Sequence, residues 1–176
     1  MNSYQALLSV FSSDRVGLIS EVTSHLFNQG VNLGDTSFAI LGKGGEFSSI
    51  IEVPSHLSET ELTEELSSLE GLKGADIAVK RISLPDVQAP STEVTHNIQC
   101  EGRDQPGLLA RLSEVFTDFG GNIVRLKSDH VEAEEGWHFI TRLSVNIPAS
   151  RADNCLAALG NTAAELGQKL VSEKIS

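Results

Sequence analysis

From Tyr4 to Phe11 apolar and polar residues alternate, with Ala6, Leu8 and Val10 on one side and Gln5, Leu7 and Ser9 on the other. A period of two predicts a half-buried strand. After a turn at Ser12 to Val16 the period changes: Leu18, Ile19, Val22 and Leu26 recur at helical spacing, and Gly30 ends the pattern as a C′ glycine would. A second strand runs from Asn32 through Phe38, Ile40 and Leu41 and breaks at Gly42-Lys43-Gly44-Gly45, where a hairpin needs positive φ. Phe47 to Val53 is the return strand. Pro54 and Ser58 lead into a helix with Leu62, Leu66 and Leu69 inward and Glu59, Glu61, Glu64, Glu65 and Glu70 outward. Gly71 and Gly74 close it, and Ala75 to Leu84 is a fourth strand with Ile77, Val79 and Ile82 packed.

The pattern then repeats. Asp14-Arg15-Val16-Gly17-Leu18-Ile19 returns as Asp104-Gln105-Pro106-Gly107-Leu108-Leu109, and Gly30-Val31-Asn32-Leu33 as Gly120-Gly121-Asn122-Ile123, both at an offset of 90. A shared offset over two separated motifs marks a duplicated module. The second copy reads Glu93–Glu101 strand, Pro106–Phe119 helix, Asn122–His130 and Trp137–Ile147 strands, Ala152–Leu166 helix and Gly167–Lys174 strand. Pro106 sits where a proline at the first helical position belongs. Pro54 matches Pro148 at an offset of 94, so the second hairpin is longer, the extra residues lying in Glu132-Ala133-Glu134-Glu135. Strand, helix, strand, strand, helix, strand is the ferredoxin-like order. The expected fold is therefore α+β: two βαββαβ modules in tandem, 1–84 and 93–176, with a short stiff linker at 85–92 and antiparallel sheets covered by helices on one face.

Composition narrows the function classes. The net charge of −11 argues against direct contact with nucleic acid, where Lys and Arg must neutralise phosphates, and against an anionic membrane surface. No run approaches the ~20 apolar residues of a membrane span, and Met1-Asn2-Ser3-Tyr4 lacks the basic start of a signal peptide. Two cysteines, Cys100 and Cys155, are too few for a disulfide framework, so a reducing cytoplasm is expected and both read as small buried hydrophobes. His25, His56, His96, His130 and His138 have no metal-ligand spacing; His96 and Cys100 share a strand face but stand about 13 Å apart. No metal, no cofactor, no Gly-x-Ser-x-Gly elbow and no phosphate loop of the Walker type is read.

Asp-x-x-Gly-Leu at the first strand-to-helix turn, followed by Gly-x-Asn-Leu/Ile at the second strand, twice over, resembles the ACT domain. In the first copy Asp14-Arg15-Val16-Gly17-Leu18, Asn32-Leu33-Gly34-Asp35-Thr36, Ala39-Ile40-Leu41-Gly42 and Gly71-Leu72-Lys73-Gly74-Ala75 are similar to the glycine cleavage system transcriptional repressor family. The resemblance implies regulation without catalysis: modules that pair sheet edge to sheet edge or helix to helix, bind amino acids where they pair, and act through a transcription activator and not through DNA. Val16 departs from the proline common in such loops, while Pro106 keeps it.

The residues themselves supply the chemistry of an amino-acid site. A helix N-terminus offers unpaired N–H groups and partial positive charge to a carboxylate. Gly17 and Gly107 let a ligand approach the backbone. Asn32 and Asn122 present amides that donate and accept, and Asp14 and Asp104 can pair with an α-ammonium. The candidate ligand residues are Asp14, Arg15, Gly17, Leu18 and Asn32, with Asp104, Gly107, Leu108 and Asn122. Plainer readings stand beside these: the aspartates as helix caps, each stabilising by about 1 kcal/mol, the glycines as packing positions, the asparagines as turn residues. Arg15, which could clamp a carboxylate bidentately, favours the first copy if only one binds, though as a solvated side chain it would bind nothing.

The leading expectation is a cytoplasmic regulatory protein that senses a small amino acid, glycine foremost, and signals to a protein partner. The alternatives are a ligand-free interaction scaffold and an acylphosphatase-type hydrolase using Arg15. Uncovered sheet edges predict a homo-oligomer, with modules paired within one chain or across a dimer.

Overall fold

The computed structural model describes residues 2–84, 92–133 and 136–175. The chain divides into two compact units, Met1–Pro85 and Asp86–Ser176. Positions 85–91 of the expected linker, and Glu134-Glu135 of the acidic hairpin, lie outside the described residues.

In the first unit β1 (Ser3–Ser13), α1 (Leu18–Asn28), β2 (Asn32–Leu41), β3 (Gly44–Pro54), α2 (Glu59–Ser68) and β4 (Asp76–Arg81) follow in the expected order. In the second, β5 (His96–Arg103), α3 (Leu108–Asp118), β6 (Asn122–Ala133), β7 (Gly136–Asn146), α4 (Ala152–Glu165) and β8 (Gln168–Lys174) repeat it. Each sheet has four strands, in the orders β2-β3-β1-β4 and β6-β7-β5-β8, with every neighbouring pair antiparallel. β2 and β6 are therefore edge strands.

The helices form because their apolar stripes meet the alternating faces of the strands. Leu18, Val22 and Leu26 of α1 and Leu62 and Leu66 of α2 join Ala6, Leu8, Val10, Phe47, Ile51 and Val53 in one core. Leu108, Leu112 and Phe116 of α3 join Ile98, Leu143, Val145, Cys155 and Leu159 in the other. α1 stops at Gly30, φ 71°, where Gly30 N donates to Phe27 O and Val31 N to Leu26 O. That is a Schellman motif, and Gly120 repeats it with Thr117 and Phe116. α2 starts at a capping box: Glu61 N donates to Ser58 Oγ at 3.2 Å and Ser58 N to Glu61 Oε2 at 2.9 Å. Its apolar pattern runs past its end. The helix closes at Ser68, Leu69 packs from the C-cap, and Gly71 lies in a separate 3₁₀ turn, Glu70–Leu72.

Each unit satisfies one buried hydroxyl, Ser49 or Thr141, with a less buried partner on the edge strand. Thr36 and Ser49 meet at 2.8 Å in the first unit, Ser128 and Thr141 at 3.0 Å in the second. Satisfied in this way, a buried hydroxyl costs little. β2 and β6 each carry a one-residue bulge, between Leu33 and Thr36 and between Ile123 and Arg125. Cys100 and Cys155 are free and buried, and burial pushes the Cys100 thiol up to about 11.

His96 is 5% exposed, with Nδ1 2.9 Å from Thr95 Oγ1. Burial holds its pKa below the ordinary 6.5, and Lys174 beside it pushes the same way. In the unfolded chain His96 takes up a proton near pH 6.5; in the folded unit it takes one only at lower pH. The second unit is thus expected to lose stability as pH falls below about 6.5. Urea midpoints followed by the fluorescence of Trp137, the single tryptophan, at pH 7.5 and 5.5 check this. His96→Gln should flatten the difference, and an unchanged slope in that variant would remove His96 from the account.

Candidate functional site

The two strand-to-helix loops have one backbone design. Gly17 (φ 88°, ψ −1°) and Gly107 (φ 85°, ψ 1°) stand at the N-cap in the left-handed region. Leu18 N donates to Arg15 O and Leu108 N to Gln105 O. A bond from the first to the fourth residue with the third near (80°, 0°) is a type II turn. This corrects the reading of Pro106: it is the second residue of that turn, where proline is favoured, and not the first residue of α3. It also corrects the capping reading of Asp14 and Asp104. The turn places each aspartate three residues ahead of the N-cap, and neither helix has a side-chain cap. Leu18 N and Leu108 N are taken by the turns, and no cap side chain covers the remaining first-turn amides of α1 and α3.

The glycines are required by conformation before any ligand is considered. At Gly107 a Cβ would meet nothing within 4 Å. Gly107→Ala should therefore cost only the left-handed backbone, about 1–2 kcal/mol. A urea midpoint for the second unit equal to wild type would refute the turn assignment.

Beyond the turn the loops diverge. In the first, Arg15 Nη2 is paired with Glu21, Arg15 Nε donates to Gly71 O at 3.2 Å, and Gly71 N donates to Glu21 Oε1 at 3.1 Å. Arg15, its side chain still 36% exposed, is held by these contacts and ties the loop and α1 to the 3₁₀ turn. Gly71 is small to make room, since a Cβ there would fall within 2.1 Å of both Arg15 and Glu21. Asp14 N donates to Lys43 O at the β2–β3 hairpin.

In the second loop Gln105 and Arg111 replace Arg15 and Glu21, and no such tie exists among the described residues. Asp104 instead faces His130 of β6, Oδ2 to Nε2 3.5 Å, and the His130 ring lies 4.9 Å from Phe139. Both side chains of the pair are more than half exposed. From below, Gln168 Nε2 donates to Arg103 O at 2.6 Å, while its buried Oε1 has no hydrogen-bond partner among the described residues. Gly102 admits this amide, which a Cβ would meet at 2.7 Å. Among the described residues no cluster of His, Cys, Asp and Glu could hold a metal ion, and no helix is long and apolar enough to cross a membrane.

The asparagines are not beside these loops. Asn32 pairs with Glu52, which pairs with Gln5, at one end of the first sheet. Asp14, Gly17 and Leu18 stand at the other end, beyond the Ser13–Gly44–Leu41 level. Nine residues of β2 separate the two, about 30 Å of strand. Asn122, paired with Asn146, is likewise remote from Asp104, Gly107 and Leu108. Each module unites three of its sequence-selected residue types and leaves the asparagine apart.

Residues 96–150 match the ACT domain family, and the first unit repeats the same strand order and the same glycine turn. The chain carries an ACT-like βαββαβ fold twice in tandem, and the family match itself falls in the second unit. The glycine cleavage system transcriptional repressor of Escherichia coli (strain K12) is 24% identical over 153 residues, 85% of this chain and 78% of that protein, and the Shigella flexneri repressor matches equally. Among solved structures, a protein of unknown function from Galdieria sulphuraria superposes with a TM-score of 0.76 at 23% identity, covering 99% of this chain and all of that one. The structure of a candidate glycine cleavage system transcriptional repressor gives 0.70 at 17%, covering 100% of this chain and 99% of that one. These likenesses of fold span both units.

Sequence reasoning missed Glu21 and His130 and read Gly71 only as a helix stop and a motif residue. His130 was weighed only as a metal ligand. The signal that places it is register: position 130 is the repeat equivalent of Ile40, on the helix-covered face at the loop end of the edge strand.

Proposed function

We propose that this tandem ACT-fold chain is a non-catalytic cytoplasmic regulator that binds a small amino acid, glycine foremost. It controls transcription of amino-acid metabolism genes through a protein partner such as an activator, without touching DNA. The observation that carries the amino-acid reading is the twice-built loop: a helix N-terminus with no side-chain cap and an aspartate three residues ahead of it. The helix end suits an α-carboxylate and the aspartate an α-ammonium. The similarity to proteins named as glycine cleavage repressors supports glycine and transcription, and the net charge of −11 supports action through protein.

A complete site needs a second module. β2 and β6 are edge strands with unpaired backbone groups. Setting such an edge antiparallel to its counterpart in a second copy of the chain brings the asparagine end of one strand to the loop end of the other. Asp104, Gly107, Leu108 and His130 of one copy would then share a ligand with Asn122 of the next, and Asp14, Gly17 and Leu18 with Asn32. Because Arg15 is occupied, the second loop is the stronger candidate. The same pairing leaves an acylphosphatase without a free guanidinium for phosphate. Isothermal titration with glycine, serine and a branched-chain amino acid tests the proposal: saturable heat with at least one supports it, and no heat with any, in folded protein, leaves an interaction scaffold.

A further inference from the structure

The two sheets differ most on the face that no helix covers. In the second unit that face is crossed by polar pairs: Arg142 bonds Asp129 at 3.0 Å, Lys127 reaches Asp129 at 3.2 Å, and Ser144 Oγ donates to Asn97 at 2.9 Å. Arg125, Gln99, Glu101 and Lys169 share it, with Val131, Ile140 and Val171 among them. The first unit is built otherwise. Register places Ala39, Glu46, Phe11 and Asp76 in one row across the strands, Ser37, Ser48, Ser9 and Ala78 in the next, and Ile50, Leu7 and Lys80 in the third. Phe11 is 46% and Leu41 47% exposed. The fold alone does not demand the row of small residues, because the second unit fills the equivalent row with Lys127, Arg142, Gln99 and Val171.

We propose that the open face of the first sheet is a self-association surface, on which a second copy of this chain stacks face to face about a two-fold axis along the Ser9–Ser48 row. Such an axis lays each strand over its counterpart and inverts the rows. Small residues then meet small residues, which lets the backbones approach, and Phe11 of one copy lies over Leu7 of the other. Asp76 of each copy lies at Lys80 of the other. Chain geometry leads the lysine into a concavity of about 330 Å³ lined by Ser9, Phe11, Leu41, Glu46, Asp76 and Ala78, an apolar floor between two carboxylates. Four strands at about 4.8 Å and some nine residues at about 3.3 Å give a footprint of roughly 570 Å² per copy. Doubled, it clears the roughly 1,000 Å² expected of a specific interface. Face-packed sheets with aligned strands are an established arrangement, and an isologous contact closes at two copies. This surface is separate from the β2 and β6 edges, so the inference stands whether or not those edges hold a ligand.

A charge swap in the full chain, without added amino acid, tests it. Sedimentation equilibrium across micromolar concentrations reads self-association of the 18.9 kDa chain, with circular dichroism confirming folding. Asp76→Lys and Lys80→Asp each place like charges together twice per dimer and should raise the dissociation constant at least tenfold; Asp76→Lys/Lys80→Asp should restore it. A monomeric wild type, single variants that associate as tightly as wild type, or a double variant no tighter than the singles would each overturn the proposal. Loss of glycine binding alone would not touch it.

Discussion

Phe116→Ala is expected to cost the second unit about 3–5 kcal/mol, a large fraction of the roughly 5–15 kcal/mol that holds a domain folded. Phe116 is 1% exposed and sits at the centre of the cluster formed by Leu112, Leu143, Val145, Ile147 and Leu159. Its backbone carbonyl also accepts from Gly121 N to end α3, so the ring and the helix stop are fixed at one position. The loss combines the transfer free energy of the ring with the cavity it leaves, which the close-packed strands β5 and β7 cannot collapse to fill. The two units have separate cores, and the chain carries one tryptophan, Trp137 of β7, and one tyrosine, Tyr4 of β1. Fluorescence of Trp137 therefore reports the second unit and Tyr4 the first. We expect the Trp137 urea transition in Phe116→Ala to move to far lower urea while the Tyr4 transition stays. A joint shift of both would show that the chain unfolds as one cooperative body and that the two modules are not independent domains.

Asp104→Ala is expected to weaken amino-acid binding by about 10- to 150-fold, the loss of one charge-assisted hydrogen bond of roughly 1.5–3 kcal/mol. The carboxylate stands in front of α3 without capping it, and its neighbour is the exposed ring of His130. Removing it costs the fold little, so a drop in affinity can be read as a binding effect. Asn122→Ala should weaken binding as well, although Asn122 lies at the far end of its own module. A mixture of Asp104→Ala and Asn122→Ala chains should regain part of the lost heat, because in a mixed pair one of the two shared sites is intact. Binding in the mixture no better than in either variant would place the whole site within one module and refute the shared arrangement. Arg15→Ala is the contrast: it breaks the tie to Glu21 and Gly71, so it should lower the stability of the first unit and leave the heat at the second loop unchanged.

Most of the fold is legible along the chain because its signals are local. The period-two run at Tyr4–Phe11, the stripe of Leu18, Val22 and Leu26, and the stops at Gly30 and Gly120 each depend on residues within one or two turns of chain. Duplication made them firmer, since each motif could be read twice. The misreadings came where two local rules compete for one residue. Proline is favoured both at a first helical position and at the second position of a type II turn, and only the φ of Gly107 distinguishes them at Pro106. Aspartate before a helix suits a cap and a ligand alike, and the length of the intervening turn decides.

The candidate site was legible in its residue types and not in its assembly. Asp104, Gly107 and Leu108 are neighbours in sequence and remain neighbours in space. Asn122 was grouped with them by motif, yet an antiparallel sheet carries the start of β6 to the far end of the module. His130 arrived beside Asp104 by register across the sheet, 26 residues later in the chain. Arg15 looked available because Glu21 and Gly71, 6 and 56 residues away, engage it only after the chain has folded.

By itself, the sequence determined the duplication, the order of elements, the faces that pack and the chemistry offered at the two loops. These follow from hydrophobic periodicity and backbone preference, which act over a few residues. Only the tertiary structure decided which charges are spent on structure, where each asparagine lies, and that one open sheet face has a row of small residues where its twin has Lys127, Arg142 and Gln99. Those outcomes depend on register and strand order, which bring together residues whose separation along the chain carries no information about their separation in space.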